Sequence, residues 1–407
     1  MTDKKHSLNI VFFYPSRVVG GAEFLFSRLT EYLSQEHNCY IVDYSDGIYR
    51  KINPTLSEEN YITYEEQLTL PEESHIVSYP SEINRLQKCL KNNKNVSNLL
   101  LWSVHPDNFE NTIPFKRVNK KLMQQICYPC IKESIYTLLD NNALVFMDGG
   151  INERYEMLYG CDKERLNADN YLPIPIVMQE EADEANLEVT DNTHINICWL
   201  GRLSEEKTYP LLKVIEDLNM IENIKINFDI IGEGSQEYML DSLEISKHIT
   251  SRKLGTIVDD LDRQLKKYDL LFAMGTSMLE GGRLKIPTIL VDGSYTKMSK
   301  NYKYKWIFDT KDFVLGSFEI SKYTKNNKLT MFDIIEAIKD KTKSKEIAYM
   351  CYDYVKQNHA IENISQQLVS YIQNSTLDLS TFNKLPINTH ILRKMHNFSL
   401  EIRKGLK

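Results

Sequence analysis

Ile195-Asn-Ile-Cys-Trp-Leu-Gly201-Arg202-Leu-Ser-Glu-Glu-Lys207 is the stretch on which the reading of this chain turns. Residues 195–200 have the length and composition of a buried strand. The run stops at Gly201, and a polar turn then delivers Arg202, Lys207 and an apolar-periodic helix over residues 211–218. Strand, glycine turn and helix start bring two cations to a place where backbone N–H groups converge, which is how proteins hold phosphate. Taken alone, the stretch is equally an ordinary strand–turn–helix with a solvated charged loop. Its surroundings separate the two readings.

Downstream, strand and helix patterns keep alternating. Residues 226–231 form a second apolar run, ending in Gly232-Glu-Gly234. Helical patterns near 237–243 and 260–268, with a turn at Gly255 between them, precede a strand at 270–274. That strand breaks into Gly275-Thr276-Ser277, where Met278-Leu-Glu280 opens a short helix, and Pro287–Val291 is a final strong strand. Upstream the alternation already exists once. Residues 8–14 read as a near-continuous apolar strand, the mark of a parallel sheet covered on both faces. Gly20-Gly21-Ala22-Glu23 then opens a helix, and paired glycines there let a ligand approach the backbone closely. Further strands fall at 39–44, 75–78, 98–104 and 143–147, with a helix around 81–90. His105 would emerge at the carboxyl edge of the 98–104 strand, where open parallel sheets bind ligands, although a histidine before a proline also serves as a turn residue. Between the halves, Tyr171-Leu-Pro-Ile-Pro175 and the acidic run 180–188 mark a junction.

The fold class expected is therefore α/β: two Rossmann-like, doubly wound domains facing a central cleft, with C-terminal helices. The boundaries expected are 1–185, 186–345 and a helical segment and tail over 346–407, with 347–373 the clearest helix, packing near the junction, and a polar tail over 374–407 of weaker order, partly helical at 392–402. A chain of 407 residues agrees with two cores. Net charge of −7 argues against general nucleic-acid binding. No apolar run approaches the roughly 18–20 residues that span a bilayer, and residues 1–7 are polar, so a cytoplasmic setting is expected. Seven scattered cysteines suit a reducing compartment. Cys127-Tyr-Pro-Cys130 has redox spacing but sits late in a basic helical stretch, and no second pair completes a zinc site; buried structural thiols are the default. Residues 116–132 interleave Lys116, Arg117, Lys120, Lys121 and Lys132 with Val118, Leu122, Met123 and Ile126, a pattern that suits either a solvated helix face or peripheral contact with an acidic membrane.

Order and spacing of these pieces resemble the retaining glycosyltransferases of family 4, which have the two-domain GT-B fold. The pieces are Gly20-Gly-Ala-Glu23 after the first strand, Gly201-Arg202 through Lys207, Gly232-Glu-Gly234, Asp269 ahead of a strand, and Glu280 seven residues before Pro287. The resemblance covers most of residues 9–373. It implies that Arg202 and Lys207 grip the diphosphate of a nucleotide-sugar donor, a role that agrees with the independent reading of those cations. It implies that Gly20 and Gly21 approach the phosphate or sugar, and that Glu280 accepts hydrogen bonds from the ribose hydroxyls. Gly201, Gly232, Gly234, Val258, Gly275, Thr276 and Ser277 complete the expected donor contacts, with His105 a catalytic-side candidate on the acceptor or sugar side.

One departure stands out: the family carries a second glutamate eight positions earlier, touching the donor sugar, and here that position is Phe272. Gly275-Thr276-Ser277 occupies a shortened loop, where Gly275 can adopt positive φ and Thr276 and Ser277 can cap the next helix. The resemblance implies a hexosyltransferase-type, metal-independent enzyme without cofactor. It would move a sugar from a nucleotide diphosphate sugar, such as a UDP-sugar, to a glycan or lipid-linked glycan acceptor with retention, in capsule or O-antigen-type polysaccharide synthesis. Two alternatives stay open: a sugar-nucleotide epimerase, and a non-catalytic GT-B subunit of a transferase complex, the latter favoured by the missing glutamate.

Overall fold

The computed structural model describes residues 7–114, 119–166, 170–179, 194–241, 243–257, 260–318 and 321–389. The chain forms two compact units, one of residues 1–175 with 361–407 and one of residues 176–360. The break after Pro175 comes ten residues ahead of the boundary expected at 185, within the proline-containing stretch that begins at Tyr171. The C-terminal segment, expected as a separate piece from residue 346, instead divides between the units. Helix Lys341–His359 stays with the second unit, the chain breaks at Ala360, and helix Ile361–Asn374 belongs to the first.

The first unit is built on a parallel sheet of β1 (Asn9–Phe13), β2 (Asn38–Asp43), β3 (Tyr61–Thr63), β4 (Ser74–Ser78), β5 (Val96–Ser103) and β6 (Leu144–Phe146). Their spatial order is β3-β2-β1-β4-β5-β6. Successive side chains of a strand point to opposite faces. Accordingly Val11 and Phe13 join one buried layer while Ile10 and Phe12 join the other. Helix Gly21–Leu33 and helix Ile361–Asn374 cover the second face through Leu25, Phe26 and Leu29 and through Ile364, Leu368 and Ile372. The stretch beyond residue 374, expected to be a weakly ordered polar tail, contributes Leu377, Phe382, Leu385 and Ile387 to the opposite layer. Residues 392–402 lie outside the described residues.

The second unit repeats the plan with β7 (His194–Leu200), β8 (Lys225–Ile231), β9 (Ile249–Gly255), β10 (Leu270–Ala273), β11 (Thr288–Leu290) and β12 (Lys305–Trp306). The order is β9-β8-β7-β10-β11-β12, so each sheet runs 3-2-1-4-5-6 in its own chain order. All pairings are parallel except that of β12 with β11. In this arrangement the strand order reverses beside the first strand, and ligands bind at the carboxyl edge there. That point lies between the ends of β7 and β10, which finish level, Leu200 opposite Ala273. In the first unit it lies between the ends of β1 and β4, where Phe13 is opposite Ser78.

Candidate functional site

Gly201 follows β7 directly, its N–H donating to Ile231 O at 3.0 Å. Helix Glu205–Leu218 begins four residues later with Ser204 as its N-cap; the Ser204 hydroxyl donates to Glu206 Oε1 at 2.6 Å rather than capping a backbone N–H. Arg202 is exposed in the turn and Lys207 is half-buried in the first helical turn. Among the described residues neither cation makes an ion pair or a side-chain hydrogen bond. Burial pulls the Lys207 ammonium below its ordinary value, against the raising effect of Glu206 and with a further lowering by Arg202. A desolvated cation beside a second cation is unfavourable by itself and becomes favourable when an anion arrives. Nearby, the Trp199 indole Nε1 is buried without an acceptor, 3.5 Å from where a Cβ on Gly201 would stand. Lys207 and the Trp199 indole thus flank Gly201 with no side-chain acceptor among the described residues, Arg202 being the next residue, and sequence patterning carried no signal for the indole, because Trp199 reads simply as a core residue.

Gly232 and Gly234 serve the packing of one turn on another. Gly232 has φ +138°, and a Cβ on it would stand 2.1 Å from Gly201 O; one on Gly234 would stand 2.2 Å from Leu203 O. The two turns are stitched together by Leu203 N–H to Glu233 O at 2.9 Å and Gln236 N–H to Leu203 O at 3.1 Å. Their glycines therefore shape the loop that carries Arg202. Val258 lies outside the described residues.

Across the switch point, Gly275 has φ +65° and open space where its side chain would be. It is the N-cap of helix Thr276–Arg283, with no side chain capping it. Thr276 and Ser277 were expected to cap this helix; they are instead its first two residues. The Gly275 N–H donates to Leu315 O at 2.5 Å. Met278 N–H donates to Gly275 O at 3.1 Å, so the donors this turn can offer are the N–H groups of Thr276 and Ser277 at the helix start. Glu280, expected at the helix start, is its fifth residue. Its Oε2 accepts from Arg283 Nε at 2.6 Å, and Arg283 also pairs with Asp262. Phe272, where the family's other glutamate would stand, is fully buried inside β10 with its ring edge-on to Tyr304. Asp269 sits at the opposite, amino edge, where it accepts the Asn196 N–H at 2.7 Å and fixes β10 to β7.

In the first unit, Gly20 is the N-cap of helix Gly21–Leu33 with extended backbone, and nothing lies within 4 Å of a Cβ on Gly21. His105 follows β5 and is exposed. Its N–H donates to Asn108 Oδ1 at 2.9 Å and its Nδ1 accepts the Asp107 N–H at 3.1 Å, which leaves Nε2 as the ring's remaining nitrogen. The structure thus brings the second-unit residues to one sheet edge and places Gly20, Gly21 and His105 at the corresponding edge of the first unit. Cys127 and Cys130 lie inside helix Lys120–Asp140; burial raises the Cys130 thiol, the reverse of what a redox cysteine needs. Among the described residues no three His, Cys, Asp or Glu side chains group closely enough to hold a metal ion, and no helix is long and apolar enough to cross a membrane.

No family model matches the sequence, and no curated protein does. Solved structures do match. A glycosyltransferase from Rickettsia africae aligns over 92% of this chain and 100% of its own, with TM-score 0.56 and 14% identity. Sucrose-phosphate synthase from Thermosynechococcus elongatus aligns over 90% of this chain and 98% of its own, with TM-score 0.54 and 11% identity. The N-terminal domain of trehalose-6-phosphate phosphatase from Candida albicans aligns over 91% of this chain and 97% of its own, with TM-score 0.53 and 10% identity. The fold is that of the GT-B glycosyltransferases. At these identities the likeness is one of fold, and the chemistry has to be argued from the residues.

Proposed function

We propose that this chain is a glycosyltransferase that takes a sugar from a nucleoside diphosphate sugar and passes it to a glycan or lipid-linked glycan acceptor. The observation that carries the reading is the pair Arg202 and Lys207, cations without an ion pair among the described residues, at the switch point of the second sheet. Cleavage of a sugar–phosphate bond builds negative charge on the departing diphosphate. Fixed cations stabilise that charge more in the transition state than in the ground state, so they accelerate the step and do not merely bind. Two cations and the N–H groups of two helix starts supply this without a metal ion, and the departing phosphate can take the acceptor's proton, which fits retention of configuration. Gly20, Gly21 and His105 are assigned to the sugar and acceptor side, and Glu280 to the ribose. Capsule or O-antigen-type synthesis at the cytoplasmic membrane face is the setting proposed.

The test is direct. Purified protein is melted with UDP-, GDP- and CDP-sugars, and free nucleotide is followed with and without a glycan extract. One base class should raise the melting temperature, since a ligand at 100 times its dissociation constant stabilises by about 2.7 kcal/mol, and nucleotide release should depend on acceptor. Anomeric configuration of the product, read by proton NMR, decides retention. No thermal shift with any donor would overturn the reading. A second reading, a donor-binding but non-catalytic subunit, is favoured by Phe272 standing where a sugar-contacting carboxylate would be; binding without turnover would select it.

A further inference from the structure

The carboxylate assigned to the ribose is not free to swing. Glu280 and Arg283 lie three residues apart on one helix face, and both are largely buried, with side-chain exposures of 17% and 12%. Arg283 Nε donates to Glu280 Oε2 at 2.6 Å, while Glu280 Oε1 accepts no hydrogen bond among the described residues. The same guanidinium also forks onto both oxygens of Asp262, through Nη1 to Oδ2 at 3.1 Å and through Nη2 to Oδ1, Nη2 being shared because it also lies 2.6 Å from Glu280 Oε2. Asp262 belongs to helix Leu261–Leu265 and also accepts from Gln179. The guanidinium therefore has a fixed plane, set by a two-point contact on a different helix, and it grips one oxygen of Glu280 only. Only Met274 and Gly275 separate β10 from helix Thr276–Arg283.

We propose that Arg283 is the positioning residue for recognition of vicinal ribose hydroxyls: it immobilises Glu280 by Oε2 and leaves Oε1 as the acceptor for them. The proposal rests on the reading of the site as a nucleoside diphosphate site and deepens it by naming what makes the nucleoside part selective. A planar fork held at two points orients its partner, whereas a lysine ammonium would supply charge without the plane. A carboxylate already ordered before binding loses less freedom when it binds. Removing the guanidinium would leave two half-buried carboxylates, Glu280 and Asp262, facing the same gap.

The experiment compares three probes on the full chain by isothermal titration: inorganic pyrophosphate, the nucleoside diphosphate of the preferred base, and its 2′,3′-dideoxy form. Wild type should bind the ribonucleotide at least tenfold more tightly than the dideoxy form. Arg283→Gln should lose about tenfold for the ribonucleotide, with pyrophosphate and dideoxy affinities kept within about twofold. Arg283→Lys should fall between. If Arg283→Gln folds poorly, Asp262→Asn, which loosens the fork from its other end, should show the same selective loss. Equal ribonucleotide affinity in wild type and variants, equal loss for all three probes, or no ribo-to-dideoxy difference in wild type each overturns the proposal. A wild type that binds neither pyrophosphate nor any nucleoside diphosphate overturns instead the reading of the site, and the proposal falls with it.

Discussion

Lys207→Met separates binding from stability in a way that only a ligand-seeking cation produces. Methionine keeps the aliphatic stem that packs beside Gly201, whose absent Cβ would lie 3.8 Å from Lys207 Cδ, and removes the charge. Because burial lowers the ammonium pKa from 10.5 and no carboxylate pairs with it, the charged form is penalised by folding. The sign follows. A base whose folded value is depressed weakens the fold fully below that folded value, and the penalty fades as pH rises from it towards 10.5. At neutral pH the variant should therefore be more stable than wild type, by about 0.5–2 kcal/mol, the usual gain from removing such a functional conflict. For a unit of this size that is about 2–4 °C per kcal/mol in melting temperature, and the gap should close on raising the pH towards 10.5. Binding should move the other way. A unit charge about 5 Å from a phosphate at an effective dielectric of about 20 is worth about 3 kcal/mol, in line with a loss of about 100–1,000-fold in turnover for one preorganised donor. Lys207→Ala should show the same loss in turnover. Calorimetric melting with and without pyrophosphate measures both effects. A less stable variant that still binds pyrophosphate as wild type does would refute the reasoning at both ends.

Other expectations are equally concrete. Gly275→Ala should cost about 1–3 kcal/mol in chemical denaturation, because φ +65° with ψ −145° is a backbone conformation that only glycine adopts freely; a neutral result would mean the turn rearranges. Phe382→Ala should destabilise the first unit by about 3–5 kcal/mol, since the ring is fully buried in its core; a loss below about 1 kcal/mol would show that the segment after residue 374 is dispensable. Lys120→Glu with Lys121→Glu should weaken sedimentation with anionic vesicles, each lysine near such a surface contributing about 1 kcal/mol. Those lysines stand beside Leu122 and Ile126, which are 46% and 39% exposed, and unchanged partition would leave a solvated helix face.

What was legible in the sequence follows from where each element sits. The inner strands β1, β4, β5, β7, β8 and β10 were readable because both faces are covered, so each is an apolar run. β3, β9 and β12 were missed, and all three are sheet edges. β9 shows the reason: Ile249-Thr-Ser-Arg-Lys-Leu-Gly255 is mostly exposed or half-buried, and an edge needs neither an apolar run nor two-sided burial. The single helix expected over 347–373 is two, because the period continues through Ala360 while the backbone there is extended enough to change units. Long-range packing decided the tail: Leu377, Phe382 and Leu385 are spaced too irregularly to announce a helix, yet each is fully buried.

At the site, residue type and spacing located the cations but not their company. A lone Arg or Lys in a sequence carries no record of whether a carboxylate meets it in space. For Arg202 and Lys207 no carboxylate forms an ion pair among the described residues, Glu206 acting on Lys207 only at longer range, which is what gives the pair its pull on an anion. Arg283 is the opposite case: its partners Glu280 and Asp262 lie three and twenty-one residues away, and only the first was a legible helix pair. On the proposed reading the three cations divide the labour by their pairing. If the proposed function holds, those without an ion pair among the described residues are available to the charge that develops on a departing diphosphate, and the paired one contributes little net charge but fixes the direction of a carboxylate. Exchanging the two conditions would spoil both. An ion pair on Lys207 would quench the field that the proposed reaction needs, and an unpaired Arg283 would leave Glu280 mobile next to it.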